Sequence, residues 1–276
     1  MWFVAACALA LLSGCGFRMF FQMKEQVLDE RLRLFLGGWG NSTALIHGGE
    51  VFLVDVKSGD EARRMREVLE QQLAREVRRI MITHSHFDHA GAIDLYPSAG
   101  AVLVHPNTRA RLEREGAHAP FVEVNDLVQL SLGGEVVQVR YLGRGHTDGD
   151  LVAFFPKRKL LVAGDLFFDG YEPFADDTMG GDLISLRQTL ERALELDFDD
   201  VVSGHGGLKK KADVKQVAEY LKALEDGVRA AVAAGKSEGD TVREVTLSQY
   251  PRLPRVPTRT DREQNVRAMY RLVAPR

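Results

Sequence analysis

The sequence predicts an α/β domain of two similar halves, its sheets flanked by helices. Two observations carry that expectation. From Arg31 onward, short β-like runs bounded by glycine alternate with stretches of helical periodicity. The second half repeats the style of the first, with no linker rich in Pro, Gly or Ser between them. A length of 276 residues, 45% of them hydrophobic, allows a sizeable core.

In chain order, "RLRLFL", "TALIHG" and "EVFLVDV" read as successive strands, with "HGGE" as a hairpin turn. "GDEARRMREVLEQQLAREV" sets Met65, Val68, Leu69, Leu73 and Val77 at helical spacing and predicts a surface helix, after which "RRIMIT" is a buried strand. Beyond it, "AVLVH", "LVQLS", "EVVQVRYL", "LVAFFP", "KLLVAG" and "DVVSG" read as strands. "LISLRQTLERALEL" and "KADVKQVAEYLKALEDGVRAAVAAG" read as helices. "YPRLPRVPTRT" is expected to be irregular, and "DREQNVRAMYRLV" to be a final helix packing back on the domain.

The opening "MWFVAACALALLSGCG" is an apolar run ending in small residues, the pattern of a secretory signal. It is shorter than the ~20 apolar residues of a permanent transmembrane helix. "LSGC", Leu12 to Cys15, resembles the bacterial lipobox, in which the cysteine is lipidated and becomes the first mature residue. The expected division is a signal peptide with lipobox over 1–15, a tether over 16–30, and the folded domain over 31–276, C-terminal helices included. The expected location is a bacterial cell envelope, facing periplasm or exterior, with lipidated Cys15 as the membrane anchor. Cys7 and Cys15 are the only cysteines, so the domain has no disulfide and no thiolate ligand. A net charge of -3 with both signs interleaved excludes a nucleic-acid-binding surface. Lys209 to Lys211 read as a solvated helix start.

"THSHFDHAG" packs three of the chain's eight histidines into six positions, His84 to His89. Neutral imidazole nitrogen and anionic carboxylate oxygen are ligands that zinc accepts. Four strand candidates run into a potential ligand: "IMIT" into His84, "VRYLGRG" into His146, "LLVAG" into Asp165 and "VVSG" into His205. In three of these a glycine directly precedes the ligand and lets the chain turn sharply as it leaves the strand. An extended H-x-H sets His84 and His86 on one side of the chain. Asp88 and His89 follow a turn and face a second point. The natural partition is one metal at His84, His86 and His146, a second at Asp88, His89 and His205, and Asp165 as a bridge. Asp55, at a strand end, is placed behind the cluster as an orienting group. Asp148 and Asp150 read first as turn formers in "DGD" and only second as support for a histidine. His47, His105 and His118 read as structural or exposed.

These residues carry a resemblance. H-x-H-x-D-H, "GHT" at Gly145 to Thr147, "AGD" at Ala163 to Asp165 and "SGHG" at Ser203 to Gly206 are similar to the motifs of the metallo-β-lactamase superfamily, in the family's order over roughly residues 31 to 208. The resemblance implies an αββα sandwich with a two-metal site at one edge of the sheets. True β-lactamases of the superfamily usually have cysteine or serine where this chain has Asp165; an aspartate is similar to glyoxalase II and to thioester, lactone and phosphoester hydrolases. Two positions depart from the common pattern: Ala92 stands where many members carry glycine, and Asp148 where many carry proline.

The activity so implied is dinuclear zinc hydrolysis of an ester, thioester, lactone or amide-like bond in a small-molecule substrate, by a bridging hydroxide that Asp88 orients or deprotonates. Two zincs per chain are expected, with iron or manganese as substitutes. The alternatives are a mononuclear iron enzyme resembling the persulfide dioxygenases, and a β-lactamase. A nuclease ranks low, because the interval from Asp165 to His205 leaves no room for the inserted domain that those relatives carry. Trp39 is expected near the site mouth; Phe167 and Phe168 fit core packing as well as a substrate face.

Overall fold

Period-two alternation on the strands sets the layers. In β4 (Glu50–Val54), Val51 and Leu53 join one hydrophobic cluster while Phe52 and Val54 join another. In β10 (Leu151–Phe155), Val152 and Phe154 point one way and Leu151, Ala153 and Phe155 the other. Both strands are therefore buried on both faces, and each belongs to a sheet with helices on one side and the partner sheet on the other. This is the expected αββα sandwich. The computed structural model describes residues 22–251 and 261–275. The signal segment with Cys7 and Cys15, and most of the proline-rich stretch, lie outside the described residues. No helix among the described residues is long and apolar enough to cross a membrane.

The first sheet runs in sequence order: β1 (Lys24–Val27), β2 (Leu32–Leu36), β3 (Ser42–His47), β4, β5 (Glu76–Met81), β6 (Ala101–Val104) and β7 (Phe121–Glu123). The second runs β13 (Leu208–Lys210), β12 (Asp200–Val202), β11 (Leu160–Val162), β10, β9 (Glu135–Tyr141) and β8 (Leu127–Leu132). Helices α1 (Gly59–Arg66), α2 (Phe87–Ala90) and α3 (Pro106–Arg114) belong to the first half. Helices α4 (Leu183–Leu194), α5 (Lys211–Ala233), α6 (Glu238–Glu244) and α7 (Arg262–Val273) belong to the second. Both halves switch from antiparallel to parallel pairing at one place, β4 to β5 through α1 and β11 to β12 through α4.

Three expectations are corrected. Lys24–Val27, inside the stretch read as a tether, is β1: it pairs antiparallel with β2, and "KEQV" lacks alternation because an edge strand is held by its ladder alone. Lys209 and Lys210 lie in edge strand β13, antiparallel to β12, so only Lys211 begins the helix. The helix read through Val77 is regular only to Arg66, continues as a wide turn over Glu67–Gln72, and ends where Ala74 adopts a left-handed conformation. Val77 is claimed by β5, opposite Val51 of β4, and parallel pairing outweighs helical spacing there.

Candidate metal centre

The parallel ladders place the site. The β4–β5 ladder ends at Val54 and Met81, and the β11–β12 ladder at Val162 and Val202. His84, Asp165 and His205 each stand three residues past their own last rung, and Asp55 stands one past. Equal overhangs at the C-terminal ends of parallel strands bring distant residues to one edge, where open α/β sheets bind ligands. His146 arrives from the loop after β9. After His84, the short helix α2, with His86 at its N-cap, reverses the chain and turns Asp88 and His89 to a second point. The glycines act differently from one another. Gly164 has a left-handed φ of 54°, as a sharp turn requires. Gly204 allows close approach instead: a Cβ there would stand 1.9 Å from Asp165 Oδ1.

All seven expected ligand residues converge in two clusters, His84, His86, His146 and Asp165 in one, Asp88, His89 and His205 in the other. His86 Nδ1 is 2.9 Å from both His84 Nε2 and His146 Nε2, and His89 Nε2 is 3.4 Å from His205 Nε2. Asp165 reaches across: Oδ2 lies 3.6 Å from His84, 3.5 Å from His146 and 3.3 Å from His205, while Oδ1 lies 3.1 Å from His89. Asp88 Oδ2 is 3.3 Å from His205 Nε2. His86 and Asp88, at 15% and 22% side-chain exposure, face solvent, whereas the other five are nearly inaccessible.

The outer ring nitrogens show what the inner ones are for. His89 Nδ1 lies 2.8 Å from Asp55 Oδ2, and His84 Nδ1 3.0 Å from Thr83 Oγ1, which itself donates to Asp55 Oδ2 over 2.8 Å. His86 Nε2 faces Asp176 Oδ2 at 3.0 Å, and His146 Nδ1 faces the carbonyl of Phe174 at 3.0 Å. Each acceptor places a proton on the outer nitrogen, so in the neutral ring the inner nitrogen carries the lone pair that a cation would take. Asp165 Oδ1 is buried without a hydrogen-bond partner. Ring nitrogens and a buried carboxylate shared between both clusters form a donor set that fits divalent cations.

The electrostatics agree. Burial presses the His146 imidazole down to about 4, and burial together with His89 holds His84 well below its ordinary value. Burial would raise Asp165, yet His205, His89 and His84 hold its carboxyl well below the usual range. Burial would lower His89, but Asp165, Asp88 and Asp55 hold it well above its ordinary value. A cation entering here therefore displaces a proton from His89, so metal binding weakens as pH falls.

Asp55 is the orienting residue that its strand-end position suggested. Asp150 serves both readings of "DGD": it is buried, accepts from the backbone and hydroxyl of Thr147, and thereby fixes the residue after His146. Asp148 accepts from Arg111 at 2.6 Å and anchors α3, a use that proline cannot serve. His105 caps α3 and stacks on Tyr141, and His118 is exposed.

Two residues went unread in the sequence. Asp176 follows Asp165 by a loop whose course no spacing reveals; the one available signal is its turn chemistry, since Oδ1 accepts from the backbone and hydroxyl of Thr178. Replacing Asp176 by asparagine is expected to weaken zinc about 10- to 100-fold, read by chelator competition.

Lys57 is fully buried, and its ammonium donates to the carbonyls of Gly37 at 2.6 Å and Gly40 at 2.5 Å. It thus holds down the loop that carries exposed Trp39, which Asn41 ties to Ser203 and Gly204 beside His205. Burial lowers Lys57 from 10.5 to about 7, against the pull of Glu61, Asp55 and Asp88. Between those values the unfolded chain binds the extra proton, so stability rises with pH by up to about 1.4 kcal/mol per unit. Lys57→Met is expected to lose that rise, measured by denaturant midpoints at pH 7 and 10.

The model of the Metallo-beta-lactamase superfamily matches residues 36–205. A metallo-beta-lactamase type 2 of Bacillus sp. (strain 170) is 26% identical over 161 residues, 56% of this chain and 62% of that protein. The alpha subunit of a 2,4-dinitroanisole O-demethylase from Nocardioides sp. (strain JS1661) is 28% identical over 156 residues, 54% of this chain and 46% of that protein. The chain thus spans between about half and two thirds of the length of these two relatives. Among solved structures, a metallo-beta-lactamase from Pontibacter korlensis superposes with a TM-score of 0.66 at 18% identity, covering 73% of this chain and 99% of that one. DIM-1 metallo-beta-lactamase gives 0.64 at 21% identity, covering 73% and 97%. The matched family model spans every ligand position from His84 to His205, and with the fold and the converging donor set it leads to one conclusion: this chain belongs to the metallo-β-lactamase superfamily.

Proposed function

We propose that the protein is a dinuclear zinc hydrolase of ester, thioester, lactone or amide-like bonds in small molecules. The observation that carries the reading is the doubling of the ligand set: two three-point clusters, each complete, with Asp165 in reach of both. A persulfide-dioxygenase-like enzyme keeps the same motif residues around one iron, so metal content separates the two readings.

Bound cations supply Lewis acidity, bringing a water's pKa to about 7 and polarising the substrate's carbonyl oxygen. The chain's own residues do the rest. Asp55, Thr83, Asp176 and the Phe174 carbonyl keep four imidazoles in the tautomer that faces inward. Asp165, held ionised, places one negative charge within reach of both clusters. Asp88, the most exposed carboxylate of the set, accepts the proton that the attacking water sheds. The water's oxygen bonds to the carbonyl carbon, the bond to the leaving oxygen, sulfur or nitrogen breaks, and the proton passes from Asp88 to that leaving atom.

The test is a panel of p-nitrophenyl esters, thioesters, lactones and a chromogenic cephalosporin, with His84→Ala and Asp165→Ala as controls. Turnover lost in both variants upholds the reading, and turnover equal to wild type in either overturns it. Aspartate at 165 in place of cysteine or serine ranks the cephalosporin last.

We also propose that the protein is lipid-anchored through Cys15 in a bacterial cell envelope, which the "LSGC" stretch supports. Cys15→Ala is expected to move it from the membrane to the soluble fraction.

A further inference from the structure

The loop that follows Asp165 carries two of the groups that hold the ligand histidines. The Phe174 carbonyl faces His146 Nδ1 at 3.0 Å, and Asp176 Oδ2 faces His86 Nε2 at 3.0 Å. Residues 172–176 belong to no helix or strand, so their backbone is held from outside. At its far end the segment is tied to the site itself, since the Asp176 amide donates to the His146 carbonyl over 2.7 Å. At its near end it is tied to helix α7, well past the last ligand, His205. Asn265 Nδ2 donates to the Pro173 carbonyl over 3.0 Å, and Arg262 Nη2 meets Glu172 Oε1 at 3.3 Å.

Asn265, Arg262 and Glu172 are all buried. The guanidinium is held in turn by the carbonyls of Leu247 and Pro251 and lies over the Tyr220 ring of α5, 5.6 Å from its centroid. Elsewhere on the buried face of α7, Val266 and Met269 enter the same apolar core as Leu221 and Leu224 of α5. Apolar packing of that kind docks a helix, and a buried ion pair gains little stability over well-packed apolar residues of the same size. What the ion pair and the amide add is direction, because a hydrogen bond weakens steeply off its axis whereas apolar contact is non-directional. The carbonyl so fixed, that of Pro173, is one residue before the carbonyl that orients His146.

We propose that Asn265 and Arg262 of α7 are positioning residues for the metal centre: by fixing Pro173 and Glu172 they set the Phe174 carbonyl and Asp176, and through them the rings of His146 and His86. The effect falls on the cluster of His84, His86, His146 and Asp165. It bypasses that of Asp88, His89 and His205, where Asp55 orients His89. The inference rests on the metal-binding part of the hydrolase reading and not on which bond is cleaved.

Asn265→Leu removes the donor at nearly constant volume, and Met269→Ala loosens α7 from the core without removing either polar tie. Zinc affinity is read by chelator competition in two backgrounds, His205→Ala to report the cluster of His86 and His146, and His86→Ala to report the other. Asn265→Leu is expected to weaken zinc at least about fivefold in the first background, less than the loss for a group that touches a ligand, and to leave it within about twofold in the second. Met269→Ala is expected to stay within about twofold in both, whatever it does to the urea midpoint. In the metal-free protein, the Nδ1 proton of His146, followed by nitrogen-15 NMR, is expected to exchange with water at least about fivefold faster in Asn265→Leu and within about twofold of wild type in Met269→Ala. An unchanged zinc affinity in the His205→Ala background, an equal loss in both backgrounds, or the same loss from Met269→Ala overturns the proposal. A His205→Ala parent that holds no zinc overturns it as well. Neither readout uses turnover, so an inactive ester panel overturns the hydrolase reading and leaves this one standing.

Discussion

Asp165→Ala is expected to leave less than one zinc per chain after dialysis and to lower hydrolysis by at least about a hundredfold. Asp165 lies within 3.6 Å of ring nitrogens in both clusters, reaching His84, His146, His89 and His205. In the proposed dinuclear enzyme its loss would remove a ligand from both metals at once. Supporting residues outside a ligand set cost about 10- to 100-fold in affinity or activity, so a shared ligand sets a higher floor. Its charge matters as well as its oxygens, because two divalent cations among neutral imidazoles leave Asp88 and Asp165 as the compensating anions. Asparagine at 165 keeps shape and one oxygen but no charge, and is expected to recover less than a tenth of the lost activity. Metal analysis and turnover on the same samples separate loss of metal from loss of chemistry.

Asp55→Ala is expected to lower zinc affinity about 10- to 100-fold and also to destabilise the metal-free fold, by about 2–5 kcal/mol. Asp55 Oδ1 accepts from the Thr83 backbone at 2.7 Å, and Oδ2 accepts from the Thr83 hydroxyl and from His89. Alanine leaves all three donors buried and unpaired, each costing about 1–3 kcal/mol before relaxation. The backbone adds to this, because Asp55 has a left-handed φ of 60°, a conformation that aspartate and asparagine tolerate better than alanine. Asp55→Asn keeps that tolerance and an acceptor, so it is expected to retain most stability while still losing metal affinity. Chelator competition and urea midpoints on the two variants resolve orientation of His89 from upkeep of the fold.

The converging cluster was legible in the sequence because His84, His146, Asp165 and His205 each follow an apolar strand run and His86, Asp88 and His89 lie within five residues of His84. Asp55 was legible for the same reason. Asp176 was not: it reaches His86 from a loop across 90 positions of sequence, and only the folded path of residues 173–181 brings them together. Lys57 was unreadable on other grounds, since lysine in a polar stretch is ordinarily exposed, and only the carbonyls of Gly37 and Gly40 make its burial affordable. The layers followed from alternation in β4 and β10. Edge strands β1, β7 and β13 did not, because "KEQV", "FVE" and "LKK" are short and carry polar residues, and pairing to a neighbour decides their conformation.

The proposed hydrolase needs two metals, held by two clusters that share Asp165. Inductively coupled plasma mass spectrometry on the purified protein, without added metal, measures that directly. Close to two zincs per chain is the predicted result. One iron per chain, with the second cluster empty and oxygen consumed on a glutathione persulfide, would contradict it.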